Sequence, residues 1–435
     1  MRVAFATLGC RLNQFESDAL EQMAREAGHT VVDAAAAPEL VIVNTCTITH
    51  EADADARQQV RRAARAGAKV VVTGCWATAA PAEAAALPGV ALVVGNREKE
   101  RLFDMVEEAC SERHAPKIDV APVDLLRRVR AARLRPAADP RRSRAYLKIQ
   151  DGCDYRCSFC VVPQVRGRSV SVPPAEVRAQ LAELVAAGLP EVVLTGVHLG
   201  IYGRDLRPRS SLSALVAELV PHLGSARLRL GSVDPHEVDD RLIALLASEP
   251  QLCRYLHLPV QSGDDGTLRR MRRAHTAADL RALVPRLTAA VPGIGVGTDV
   301  IAGFPGESEE AFAATEALLA ALPLAYLHVF AYSPRAGTDA ACLEGQVEAR
   351  VKQRRVAALR SLSARKQAAF AAGQVGHTLP AVIHRARHRG SGLLLGRADN
   401  GLTVLLPGDD ALLGRAVHVA VERAEGATAF GRVLD

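Results

Sequence analysis

The sequence predicts an α/β chain in three parts: an N-terminal open parallel sheet, a central partial (β/α)6 barrel and a small C-terminal β-barrel. Three patterns carry that reading. Apolar runs alternate with helical segments at the N-terminus. Six further runs alternate with helices from Tyr146 to Ala331. After His377 the runs become short and β-type, separated by Gly, Asp and Asn turns.

The N-terminal part, residues 1–112, opens with strands expected at Val3 to Leu8, Leu40 to Asn44 and Lys69 to Thr73. Helical composition fills Glu16 to Ala27 and Glu51 to Ala66, so the strands should run parallel. Residues just past their carboxyl ends then share one edge, where open α/β sheets take ligands. Cys10, Cys46 and Cys75 each follow one of these strands. Singly, each is most simply a small buried residue. Three at equivalent positions point to a metal centre. A fourth strand at Val90 to Val94 and a helix from Glu98 to Cys110 complete the part. Residues 113–139, rich in Pro, Ala and Arg, read as a linker.

The central part, residues 140–372, has strands expected at Tyr146 to Gln150, Val192 to Thr195, Arg227 to Leu230, Tyr255 to Pro259, Gly295 to Ile301 and Ala325 to Ala331. Six βα units suggest an open barrel with its site at the strand ends. After the first strand comes Asp151-Gly-Cys-Asp-Tyr-Arg-Cys-Ser-Phe-Cys160, a C-x3-C-x2-C loop. A 4Fe-4S cluster has four irons, so three thiolates leave one iron open to a ligand that is not protein. The alternative, a structural zinc, wants four closed Cys or His ligands, and no fourth sits nearby. The spacing, with Phe159 before the last cysteine, resembles the radical S-adenosylmethionine (SAM) superfamily. In that superfamily the open iron is chelated by the amino and carboxylate groups of SAM.

The other strand ends carry polar, glycine-rich loops: Thr195-Gly-Val-His-Leu-Gly200, Gly231-Ser-Val-Asp-Pro235, Gln261-Ser-Gly263, and Asp299 with Gly303-Phe-Pro-Gly306. Each alone is a turn. Around one barrel mouth they are better explained together as a SAM pocket built by Thr195, Gly196, Ser232, Gln261 and Asp299, with Phe159. A carboxylate on a strand such as Asp299 can also simply pair with a buried Arg or a backbone donor. His198, His236 and His257 read as structural hydrogen bonders.

The C-terminal part, residues 373–435, has short strands expected at His377 to Ile383, Gly392 to Arg397, Leu402 to Leu406, Ala416 to Ala420 and Ala429 to Leu434, as in a small barrel. Such barrels often grip RNA; dimerisation or capping is the alternative.

Composition bounds the rest. With 435 residues and 49% hydrophobic content, packed cores are within reach. The start, Met1-Arg-Val-Ala-Phe-Ala, runs directly into a strand, which argues against a cleavable leader, and no apolar stretch approaches the ~20 residues of a membrane span. Nine cysteines without a secretory pattern favour a reducing cytosol, so a cytoplasmic protein is expected. Cys110, Cys253 and Cys342 have no spacing that suggests a role beyond packing. Net charge is +6, with basic residues crowded at Arg127, Arg128, Arg130, Arg133, Arg135, Arg141, Arg142 and Arg144, from Arg350 through Lys366, and at Arg385, Arg387 and Arg389. Such patches suit phosphate backbones. Solvated faces in a chain with forty-eight arginines and six lysines are the alternative.

A family resemblance spans nearly the whole chain. Thr7-Leu-Gly-Cys-Arg-Leu-Asn-Gln-Phe-Glu-Ser17, Val43-Asn-Thr-Cys-Thr47, Val72-Thr-Gly-Cys75, the 153–160 loop, His257-Leu-Pro-Val-Gln-Ser-Gly263 and Tyr332-Ser-Pro-Arg-Ala-Gly-Thr338 resemble the methylthiotransferases. These are radical SAM enzymes with an N-terminal cluster domain and a C-terminal TRAM barrel. The branch acting on isopentenyl-adenosine carries Gln-Met-Asn after the first cysteine and the ribosomal-protein branch Pro-Lys-Asn. Arg11-Leu12-Asn13 here is similar to the bacterial branch that converts N6-threonylcarbamoyladenosine at tRNA position 37 to its 2-methylthio derivative.

The resemblance implies two 4Fe-4S clusters, one on Cys153, Cys157 and Cys160 and one on Cys10, Cys46 and Cys75. It implies SAM as cosubstrate, cleaved at the first cluster to make a radical and used to methylate sulfur at the second. An aromatic C–H bond is inert to any side-chain base, which is why a cofactor must carry the chemistry. Partners implied are tRNA, an external electron donor of flavodoxin or ferredoxin type and a sulfur donor, with no membrane.

Overall fold

The computed structural model describes residues 1–111, 115–123, 134–135 and 141–434. Arg127, Arg128, Arg130 and Arg133 therefore lie outside the described residues. The chain divides into two compact units. The first comprises the described parts of Met1–Ala137 together with Lys148–Val172 and Ser333–Ala341; the second comprises the described parts of Ala138–Leu147 together with Pro173–Tyr332 and Cys342–Asp435.

The first unit is built on strands β1 (Arg2–Thr7), β2 (Thr30–Val31), β3 (Leu40–Thr45), β4 (Lys69–Gly74), β5 (Val90–Val94) and β6 (Lys117–Asp119), in spatial order β2-β1-β3-β4-β5-β6. Every pairing is parallel. Successive side chains of a strand point to opposite faces, and here both faces are apolar. Val41, Val43, Val70 and Val72 pack against Ala56, Val60 and Ala63 of helix His50–Arg65. Leu40, Ile42 and Val71 pack on the other side against Leu20 and Ala24 of helix Arg11–Glu26. That two-sided burial is why these strands read as unbroken apolar runs.

After β7 (Ala145–Lys148), β8 (Gln150–Asp151) pairs antiparallel with β9 (Val170–Ser171) and closes the base of the cysteine loop. The strand expected from Tyr146 to Gln150 is thus divided. The Gln150 side-chain amide donates to the carbonyls of Asp151 and Gly152 and to Ser169 Oγ, which turns the chain away from its first direction.

The second unit holds β10 (Glu191–Thr195), β11 (Arg227–Leu230), β12 (Tyr255–Gln261), β13 (Gly295–Ala302) and β14 (Tyr326–Ala331). They form two three-stranded sheets, β11-β10-β7 and β12-β13-β14. Parallel bridges Leu228↔Leu252 and Ser232↔His257 span the gap between β11 and β12. Six strands in chain order make an open partial barrel. Helix Ala349–Ala372 packs on β14 and ends in the core of the C-terminal barrel, where Phe370 and Ala371 join Leu379, Ile383, Val404 and Val419.

That barrel is closed, in the order β15 (Thr378–Arg387), β16 (Leu394–Ala398), β17 (Thr403–Leu406), β19 (Thr428–Leu434) and β18 (Ala416–Glu425). Arg227 and Arg229 hold it. They donate to the carbonyls of Pro380, Arg397, Ala398 and Asp399 while pairing with buried Glu191. Among the described residues, no helix is long and apolar enough to cross a membrane.

Candidate metal centres and cofactor residues

Parallel topology delivers Cys10, Cys46 and Cys75 to the carboxyl ends of β1, β3 and β4. Gly9 and Gly74, each directly before a cysteine, have φ of +93° and +99°. A Cβ on Gly9 would lie 2.6 Å from Cys46 Cβ and 2.9 Å from its Sγ, so the turn into Cys10 packs directly on Cys46. Cys46 and Cys75 are buried, whereas solvent reaches Cys10. Burial pushes the Cys46 thiol up to about 12, and its two sister thiols push in the same direction. The three sulfurs therefore feel one another. Neutral thiols of this kind must release protons to bind metal.

Asparagines frame this edge. Asn13, on the first turn after Cys10, donates to the Leu8 and Thr45 carbonyls at 2.7 and 3.0 Å and so ties the ends of β1 and β3 together. Asn96 donates to Cys75 Sγ at 3.7 Å and to the Val165 carbonyl at 3.0 Å.

Cys153, Cys157 and Cys160 occupy the loop between β8 and β9, each partly buried. Burial pushes Cys153 to about 12 as well, opposed by the Tyr155 backbone N–H, and Cys160 and Cys157 add to the rise. Ser158, within the loop, accepts from the Ala340 N–H at 2.8 Å, and Gln164 donates to the Gly337 carbonyl. Phe159 is half-buried. Val161, directly after Cys160, packs with Val165 against Cys75. Both cysteine trios thus belong to the first unit, with side chains of one loop against a cysteine of the other site.

Among the described residues, Asp234, His236 and His275, and separately His257, Asp299 and His328, bring ligand atoms within 4.8 Å of one another.

The remaining cofactor candidates lie in the second unit. Thr195 and Gln261 end β10 and β12, and Gly196 follows Thr195. Gln261 has φ of +70°, a left-handed conformation uncommon outside glycine and often found at ligand sites. Ser232 Oγ lies 3.0 Å from His257 Nδ1, and His257 Nε2 lies 3.4 Å from Asp299 Oδ1. His328 Nδ1 reaches the same carboxylate oxygen at 3.3 Å. Burial alone would raise Asp299, but His257 and His328 overcome it and hold the carboxyl well below the usual range. Its partners are therefore histidines, not the Arg or backbone donor that a strand carboxylate suggests. His198 pairs with Glu237 at 2.6 Å.

Sequence reasoning passed over the polar residues behind the cysteines: Glu16, Lys99, Asp151 and Arg166, all buried. Their charges in otherwise apolar surroundings were the available signal. It also passed over Arg335, which donates to Thr47 Oγ1 and Asp53 Oδ2 at 2.6 Å each and anchors Ser333–Ala341 one residue from Cys46.

Residues 2–95 match the Uncharacterized protein family UPF0004, residues 147–319 the Radical SAM superfamily and residues 374–434 the TRAM domain. A Bacillus subtilis protein, "Threonylcarbamoyladenosine tRNA methylthiotransferase MtaB", is 36% identical over 97% of this chain and 94% of its own. The chain belongs to the MtaB branch of the methylthiotransferase family. An Aquifex aeolicus methylthiotransferase of the same name is 37% identical over 88% of this chain and 93% of its own. A Maricaulis maris protein, "tRNA-2-methylthio-N(6)-dimethylallyladenosine synthase", is 33% identical over 97% of this chain and 95% of its own. Among solved structures, the radical S-adenosylmethionine methyltransferase TsrM from Kitasatospora setae shares the fold at a TM-score of 0.55 and 19% identity, over 77% of this chain and 76% of that one.

Proposed function

We propose that this chain is a tRNA methylthiotransferase that converts N6-threonylcarbamoyladenosine at position 37 to its 2-methylthio derivative. The observation that carries the reading is the gathering of two cysteine trios, each short of one ligand for a four-iron cluster, into a single compact unit. When bound, the two clusters and SAM would supply the one-electron chemistry and the sulfur that no side chain can provide.

The chain's own residues do the rest. Cys153, Cys157 and Cys160 would hold one centre and Cys10, Cys46 and Cys75 the other. Asn13 and Asn96 orient the second set through the strand-end carbonyls and the Cys75 sulfur. Thr195, Gly196, Ser232, Gln261 and Asp299, with Phe159 on the cysteine loop, are the proposed SAM contacts; the Ser232, His257 and Asp299 series offers an acceptor-rich wall for an ammonium group. An electron donor of flavodoxin or ferredoxin type and a separate sulfur source complete the partners.

Anaerobic purification should yield about eight irons per chain. Cys157→Ala should lose one cluster and SAM cleavage, while Cys46→Ala should keep SAM cleavage and lose thiolation. Mass spectrometry of tRNA nucleosides from cells with and without the protein identifies the substrate. Disappearance of a dimethylallyl-adenosine derivative instead of the threonylcarbamoyl one would move the enzyme to the other branch.

A further inference from the structure

Behind the cysteines of the first unit lies a charge cluster that metal ligation does not use. Arg166 comes six residues after Cys160, and its side chain is 2% exposed. Its Nη1 donates to Glu16 Oε1 at 2.8 Å and to both oxygens of Asp151 at 3.2 Å. Its Nη2 donates to Asn13 Oδ1 at 2.9 Å and to Glu16 Oε2 at 3.2 Å. Asn13 and Glu16 sit on the helix that starts directly after Cys10, and Asp151 stands two residues before Cys153. One guanidinium therefore grips the structural roots of both cysteine sites.

Further buried charges join this grip. Lys99, wholly buried, pairs with Glu16 and donates to Asn44 and Asn96, and Lys148 pairs with Asp151. Burial pushes the Lys99 ammonium down, so the lasting positive charge of the network is the Arg166 guanidinium. A buried positive charge is costly unless anions join it. Cys10 Sγ lies 4.0 Å from Asn13 Oδ1, the same oxygen that accepts from Arg166, so an anionic centre held there would face that charge across one side chain.

We propose that Arg166 is a positioning residue for thiolation: it fixes the Cys10 helix against the Cys153 loop and sets its own positive charge beside the centre held by Cys10, Cys46 and Cys75. This rests on the two-cluster reading above. The charge stabilises the more negative, reduced form of that centre and raises its midpoint potential. The clamp couples SAM cleavage to product formation, since a misplacement of about 1 Å can cost roughly a hundredfold in rate.

The test uses the full chain. In a Cys157→Ala background, which should carry only the N-terminal centre, redox titration followed by electron paramagnetic resonance reads the potential. Arg166→Gln should lower it; Arg166→Lys, which keeps the charge, should restore it. With all cysteines intact, Arg166→Gln should lower the ratio of thiolated tRNA to cleaved SAM roughly a hundredfold. Glu16→Gln combined with Arg166→Gln keeps the network's net charge and avoids a lone buried carboxylate, so it safeguards against a single variant that does not fold. It should retain the parent's potential yet couple poorly. A Cys157→Ala protein without any cluster would overturn the two-cluster reading itself. A cluster present there whose potential ignores Arg166→Gln, or a double variant that couples like the parent, would overturn the role of Arg166.

Discussion

Gly74→Ala should dismantle the Cys10, Cys46, Cys75 site while leaving the other cysteine loop intact. Gly74 closes β4 with φ of +99° and ψ of −163°, a region open essentially to glycine alone. Forcing alanine there costs roughly 1–3 kcal/mol in backbone strain. An added Cβ would also lie 2.4 Å from the Thr45 carbonyl oxygen, 2.5 Å from Thr45 N and 2.7 Å from Asn44 Oδ1. Those contacts are mostly backbone, on the strand that pairs with Gly74, so no rotamer change relieves them. Overpacking of this kind adds about 1–3 kcal/mol. The sum, roughly 2–6 kcal/mol, is a large share of the ~5–15 kcal/mol that holds a domain together.

Gly67 is the internal control, with φ of +82° and nothing within 4 Å of an added methyl; alanine there should cost only about 1–2 kcal/mol. The assays are urea unfolding of metal-free protein and iron content after anaerobic reconstitution. Gly74→Ala should unfold at clearly lower urea than Gly67→Ala and hold about four irons instead of about eight. Equal midpoints and full iron in both variants would refute the claim that the approach of Thr45 to Gly74 positions Cys75.

Other expectations concern the second unit. Burial would raise Glu191, but Arg229 and Arg227 prevail and hold its carboxyl well below the usual range. Its contribution to stability is therefore present above the unfolded value near 4.3 and lost as pH falls through and below it; Glu191→Gln should cost roughly 3–5 kcal/mol at neutral pH by stranding two buried arginines and should flatten the acid limb of a stability-against-pH curve. A cavity of about 220 Å³ is lined by Arg141, Arg142, Arg144, Arg385, Arg397 and His384. As a hypothesis, this cavity takes an RNA phosphate, so Arg144→Ala should weaken tRNA binding and reduce its salt slope by about 1; an unchanged slope would exclude that contact. Burial pushes the Cys253 thiol up to about 12, so alkylation at pH 8 should modify exposed Cys342 first and leave Cys253 untouched until the protein unfolds, as peptide mass mapping can follow.

Much of this architecture was legible from local patterns. The apolar runs of β3, β4 and β5, the alternation of strands with helices and the glycine-punctuated C-terminal barrel are short-range signals, because burial on a pleated strand repeats every two residues and helical burial every three or four. The C-x3-C-x2-C loop is local as well, and the strand-end placement of Cys10, Cys46 and Cys75 follows from parallel topology alone. The split of the strand after Lys148 was not legible, since it depends on Gln150 finding Ser169.

The charge network depended still more on tertiary structure. Arg166 and Glu16 are 150 positions apart, Lys99 and Glu16 83, and Arg335 and Asp53 282. In the unfolded chain water satisfies each of these groups. Only the folded unit, by removing that water, decides which distant charge must answer which. The sequence by itself therefore determined what chemistry the cysteines can support, and the tertiary structure decided which buried ions hold the two sites together.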